Sequence, residues 1–290
     1  MGLFGPPGAY NRFRLAPDEK RIVFDVSNQD IWVLDAVRGV TSRLTSDPAV
    51  NNIPMWSPDG LRVLWASNRN GAFNAYSKSA SGTGQEELLI KMGTATGYAE
   101  DWSKDGRFIL YQMPVAKTGQ DLWIAPQSPQ EAAGDRKPFP YLQSQFDEQD
   151  GRFSPDGKWV AYVSNESGRD EIYVQSFPLS GAKFQISSNG GTEPQWRNDG
   201  TELYFLAVDG SLMAVPVKLG NSGSESFQSG VPRALMQIPS GIGGITFPRS
   251  YAVSNDGQRF LIPSASAAGN APSLTVVLNW QAGLNNGLKK

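Results

Sequence analysis

Eight polar residues, Arg14, Asn52, Glu100, Asp101, Glu148, Asp150, Glu193 and Arg249, stand within five residues ahead of a recurring aromatic–turn motif. The set leans acidic, and three chemistries suit it. Converging carboxylates attract a cationic ligand or peptide. They supply the oxygen ligands that a hard cation such as Ca²⁺ takes. Two of them, Glu100 and Glu193, would have the residue type for acid–base cleavage of a glycosidic bond if they faced each other across a channel, although the sequence does not fix their separation. The simpler alternative is a solvated polar rim whose carboxylates accept hydrogen bonds from strand-end amides, and the sequence favours it. No residue is therefore assigned as catalytic, metal-ligating or cofactor-binding, and no cofactor is expected.

Two absences restrict the chemistry further. The 290 residues include no His and no Cys. A Ser-His-Asp triad, a His-ligated metal, a thiolate nucleophile and a disulfide framework are excluded by residue type. Gly220–Ser224 lacks the closing glycine of a nucleophile elbow, and 220–230 is expected to be a flexible loop. A formal net charge of −2 argues against nucleic acid as a partner. No apolar run approaches the roughly 20 residues of a membrane span, so no membrane insertion by this chain is expected. The opening MGLFGPPGAYNRFR has too short an apolar stretch for a signal peptide.

The elements that must position these residues come from a repeat. Trp56-Ser57-Pro58-Asp59-Gly60 recurs as Phe153-Ser154-Pro155-Asp156-Gly157, with weaker copies at 102–106, 196–200 and 253–257 and a degraded one at 15–19. The motif aspartates are Asp18, Asp59, Asp105, Asp156, Asp199 and Asp256. Asp-Gly suits a tight turn, because Gly tolerates positive φ and Asp can bond the backbone of its own turn. These six aspartates are therefore expected to be structural. An apolar β-like run follows each copy, as at Arg62–Ala66 and Lys158–Val163, then a turn, then a second alternating run, as at Phe73–Lys78 and Glu171–Ser176. A third, weaker run follows in five units. Counting the segment that leads into each turn, every unit supplies four short strands. Four-stranded units repeating every ~40–50 residues predict an all-β fold, a six-bladed β-propeller of four-stranded antiparallel blades. The blades are expected at approximately 9–48, 49–96, 97–146, 147–190, 191–246 and 247–285, in one domain spanning 1–290. The last unit has no clear fourth strand, so either residues 1–4 close the ring or that strand is missing. The short N-terminus suggests a chain that once continued upstream. One helical turn is expected at Pro129–Ala133, within an inserted loop.

The repeat resembles the TolB-type propeller repeat, and lacks the Gly-His and Trp-Asp marks of the other common propeller repeat. More narrowly, several segments together resemble the C-terminal propeller region of membrane-anchored bacterial serine/threonine kinases. They are Asp30–Asp35, Trp56–Gly60 with Ser67–Gly71, Gln85–Leu89, Gly134–Pro140, Phe153–Gly157 with Trp159–Ser164, Gly190–Trp196 and Val276–Trp280. The resemblance implies a sensor or scaffold region in an extracytoplasmic or periplasmic setting. The chain itself lacks the catalytic-loop His and every other kinase motif, so it is not expected to be an enzyme. The expected function is non-catalytic binding of a small ligand or a protein or peptide at the channel mouth, as a monomer. A TolB-like envelope adaptor is the alternative, and a carboxylate-dependent hydrolase or lyase the more remote one.

Overall fold

The computed structural model describes residues 2–4, 10–26, 29–93, 97–127, 137–220, 226–238, 241–242, 245–246, 251–265 and 272–278. The expected helical turn at 129–133 lies outside them. Within them the chain is built from β-strands joined as antiparallel meanders. The first sheet orders Tyr10–Leu15, Arg21–Val26, Asp30–Asp35 and Val40–Arg43 side by side. Equivalent four-stranded sheets run over 51–90, 98–142 and 148–185. A further one combines Ala252–Val253, Arg259–Ala265 and Pro272–Leu278 with Gly2–Phe4, in the register Gly2↔Val276 and Phe4↔Leu274.

The expectation of six four-stranded blades therefore needs correction, because five sheets have that form. The sheet over 192–237 has five strands. Its long strand Ser211–Leu219 pairs with Arg233–Gln237 along its first half and with Phe227–Ser229 along its second. Pro216 sits where the pairing changes; without an N–H it cannot continue a ladder. The strand Phe227–Ser229 also corrects the expectation of a loop throughout 220–230. A two-stranded ribbon, Gly241–Ile242 with Ile245–Thr246, follows.

First strands of neighbouring sheets touch one another from Tyr10–Leu15 to Thr192–Trp196, Tyr10–Leu15 also contacts Ala252–Val253, and one apolar cluster joins Tyr204 and Leu212 to Phe260, so the arrangement closes on itself. A four-stranded sheet cannot cover its own faces, and here the apolar clusters lie between sheets. One cluster joins Trp159, Ile172 and Val174 to Leu203, Val215 and Phe227 of the next sheet. Another joins Val23 and Ile31 to Trp56, Val63 and Trp65.

The repeated turn satisfies its own polar groups. Ser57 Oγ donates to Asp59 Oδ1 at 2.5 Å while accepting from the Arg62 amide at 2.9 Å. The same pair of bonds recurs at Ser103, Ser154 and Ser254. Gly60, Gly106, Gly157, Gly200 and Gly257 all have φ between 67° and 76°, where a side chain would be strained. The serine hydroxyl is the largest cause holding the Asp59 and Asp256 carboxyls below the usual range.

Candidate functional site: an axial cavity with an ionic floor

The residue immediately before each motif copy occupies one register of the innermost strand. These residues are Arg14, Met55, Asp101, Arg152, Gln195 and Ala252. All but Ala252 line one cavity of about 300 Å³, whose upper wall is made by the motif turns themselves, including Pro17, Pro58, Pro155 and Asn255. Exposed Lys104 reaches across the mouth from one motif turn to another, its Nζ donating to Asn198 Oδ1 at 3.1 Å. Met55, Trp56, Trp102, Phe153 and Trp196 give the cavity apolar walls.

The motif tryptophans fix the two arginines. Trp56 Nε1 donates to the Arg14 carbonyl at 3.1 Å, and Trp196 Nε1 donates to the Arg152 carbonyl at 3.1 Å. Each bond runs from one sheet to another, so the tryptophan is both a plug and a strut. Trp102 differs and donates to Gly106 of its own turn at 3.1 Å.

Below the cavity the innermost strands bulge. Their pairing shifts between Tyr10 and Phe13, Asn52 and Met55, Ala99 and Asp101, Gln149 and Arg152, and Thr192 and Gln195. Ile53, Asp150 and Glu193 sit in these bulges at φ 54°, a region that non-glycine residues rarely adopt. A bulge re-aims side chains, and these turn a second polar layer into the channel. Glu100 and Arg152 form a buried ion pair there, Nη1 to Oε2 at 3.3 Å. The Glu100 carbonyl accepts from Arg14 Nη2 at 2.6 Å and also from Arg152 Nη1. Tyr251 Oη donates to the Glu193 carbonyl at 2.7 Å, and Gln195 Nε2 donates to the Tyr251 carbonyl at 2.7 Å. Asp101 Oδ2 accepts the Phe153 amide at 2.8 Å.

Burial and crowding of charge set the protonation tendencies. Burial, then the neighbouring Arg152 cation, lower Arg14 to about 9, against the opposing pull of Asp101 and Glu100. Burial raises Asp101 even though Arg152 and Arg14 oppose the shift. Burial followed by repulsion from Glu100 raises Asp150.

The structure thus brings Arg14, Glu100, Asp101, Asp150 and Glu193 together, but inside the channel and not on a solvated rim. Glu100 and Glu193 are buried, and the others are partly buried. Glu148 lies apart from this network: it is buried and accepts from Ser144 Oγ, and burial raises its carboxyl. Of the candidates among the described residues, only Arg14 and Asp101 line the cavity itself; Glu100, Asp150 and Glu193 belong to the layer next to it, and Asn52 is absent from the lining. Arg249 lies outside the described residues. Arg152, Gln195, Lys104 and Asn198 were not among the sequence candidates. The signal for Arg152 and Gln195 was present, since both occupy the position of Arg14 and Asp101 one residue ahead of the motif. Among the described residues no three carboxylates come close enough to hold a metal ion.

No protein-family model matches the chain. A segment of 110 residues is 31% identical to Tricorn protease homolog 1 of Streptomyces coelicolor, covering 38% of this chain and 10% of that protein. An uncharacterized protein of Agrobacterium fabrum is 26% identical over 198 residues, 61% of each chain. The chain therefore spans less than two thirds of the length of these relatives. Among solved structures, a TolB-type protein from Agrobacterium tumefaciens superposes with a TM-score of 0.62 at 15% identity, covering 94% of this chain and 91% of the other. TolB from Acinetobacter baumannii gives 0.63 at 17% identity, covering 94% and 61%. An oligogalacturonate lyase in complex with manganese gives 0.58 at 12% identity, covering 94% and 90%. The fold is a TolB-like β-propeller. At these identities the likenesses speak to the fold alone.

Proposed function

We propose that the chain is a non-catalytic recognition propeller that takes a small ligand or a protein segment into its axial cavity, as the sensor or scaffold region of a kinase-type receptor. The observation that carries this is the cavity itself: turns from every repeat unit converge on it, as expected where a fold gathers its binding groups. The five-stranded sheet over 192–237 takes the place of the sixth blade in this reading, and the propeller acts as an extracytoplasmic monomer. The kinase-receptor part rests on the sequence segments from Asp30–Asp35 to Val276–Trp280.

A screen of small metabolites and peptides by thermal shift tests the cavity. Compounds that stabilise the protein are expected to lose their effect in Asn198→Trp, which fills the mouth from an exposed turn. Compounds that act equally on both proteins, or that are consumed, contradict it.

A second reading, a TolB-like adaptor in an envelope complex, is favoured by the likeness to TolB-type structures over 94% of the chain. The size of the native polypeptide separates the two. A membrane-fraction band much larger than this chain supports the receptor, and a free band of its own size supports the adaptor. The hydrolase or lyase reading draws least support from the site, because Glu100 is engaged by Arg152 and neither Glu100 nor Glu193 lines the cavity.

A further inference from the structure

Three tryptophans hold equivalent places in the repeat, and one of them breaks the pattern. Trp56 and Trp196 each donate to the preceding sheet, to the carbonyl of the residue before its motif, Arg14 and Arg152. Trp102 donates instead to Gly106 of its own turn. The carbonyl it passes by is that of Met55. Met55 pairs with Leu64 as Arg14 pairs with Val23 and Arg152 with Ala161, so its carbonyl holds the place of the two that accept a tryptophan. A carbonyl has two lone pairs, so the ladder leaves room for such a bond.

The packing of the turns follows the same division. A side chain at Gly60 would meet Pro17 of the preceding turn at 3.6 Å, and one at Gly200 would meet Pro155 at 3.9 Å. One at Gly106 would meet nothing within 4 Å, so Pro58 does not cover it. The turn therefore sits against its neighbour at the two joints that carry the cross-sheet bond, and stands off at the joint that lacks it. Phe153 has no N–H to offer, and Gly157 of its turn likewise meets nothing within 4 Å. Of the three tryptophans, only Trp102 has the donor without the bond. Trp56 and Trp196 are buried, and Trp102 is half-buried. Met55, Pro58 and Trp102 all line the axial cavity, so this joint is part of its wall.

We propose that Trp102 is the gate of the cavity: it exchanges its bond to the Gly106 carbonyl for one to the Met55 carbonyl, and so draws the third sheet's motif turn onto Pro58. One indole hydrogen bond replaces another of the same kind, and the closed arrangement is the one that two other joints of the ring already adopt. The two states are therefore close in energy, with the minor one populated at about 1% or more. Closure narrows the cavity on the side of Met55. The gate rests on the cavity being a recognition site, although the movement itself needs no ligand.

Relaxation-dispersion NMR of the protein carrying 5-fluorotryptophan tests it, since that measurement reads exchange on the microsecond-to-millisecond scale. Trp56→Phe, Trp102→Phe and Trp196→Phe assign the three signals. Trp102 is expected to show dispersion, or two signals if exchange is slower, while Trp56 and Trp196 each give one signal with a flat profile. Pro58→Trp, on the second sheet's turn, fills the space between the two turns and is expected to abolish the Trp102 exchange. A thermal melt shows whether that variant is folded, and Pro58→Phe replaces it if it is not. A single Trp102 signal with a flat profile overturns the gate. So does equal dispersion at all three tryptophans, or Trp102 exchange that persists in Pro58→Trp, which is a ring moving alone. None of these results bears on the Asn198→Trp screen, so the recognition reading stands or falls separately.

Discussion

Trp159→Ala is expected to lower the unfolding free energy by about 3–5 kcal/mol, the range for removing a large aromatic from a packed core. Trp159 is 2% exposed and belongs to a cluster that draws from two neighbouring sheets. Its ring lies 6.0 Å from Phe184 in an edge arrangement and 5.3 Å from Phe227. Phe227 comes from the extra strand that breaks the four-strand pattern, so the loss falls on the joint between two sheets and not on one sheet alone. Relaxation cannot readily refill the space, because the partners are held by separate ladders. Phe139→Ala provides the contrast: that residue is 41% exposed and is expected to cost well under half as much. Urea unfolding followed by far-ultraviolet circular dichroism measures both. A loss below about 1 kcal/mol for Trp159→Ala would mean that inter-sheet packing does not hold the ring together.

Glu100→Ala is expected to cost about 3–5 kcal/mol as well, for an electrostatic reason. Removing the carboxylate leaves the Arg152 guanidinium buried beside Arg14, with two like charges near one carbonyl oxygen. The expected signature is partial rescue. The double variant Glu100→Ala, Arg152→Met removes the stranded charge and should be more stable than Glu100→Ala alone. An exposed pair sets the scale: Arg43 and Asp30 lie 2.7 Å apart, yet Arg43→Ala is expected to cost at most about 1 kcal/mol, because water screens that pair. A double variant no more stable than the single one would show that Glu100 acts through packing and not through Arg152.

The blade pattern was legible in the sequence because the turn chemistry is local. Ser154, Asp156 and Gly157 close their own turn, so the motif marks each turn without reference to distant residues. The alternating runs after it became strands for the same reason. What could not be read was how one sheet meets the next. The extra strand at Phe227–Ser229 follows from the length of Ser211–Leu219 and from Pro216, and a search for four equal strands passes over it. The site was legible in part. Arg14 and Asp101 were found because they adjoin the motif, whereas Glu148 was included because it is acidic and upstream. The bulges re-aim these side chains, and two of their left-handed residues, Ile53 and Glu193, are not of a type that announces positive φ, unlike Asp150. Arg152 was passed over although it holds the same place before its motif as Arg14, which was included.

A crystal structure of the protein with the most strongly stabilising compound from the screen tests whether recognition occurs in the cavity beneath the motif turns. The compound is expected below the Lys104–Asn198 bridge, among the residues of the cavity wall such as Trp56, Trp102 and Trp196. A compound bound away from this cavity, beside Asn52 and Glu148 for example, would contradict it.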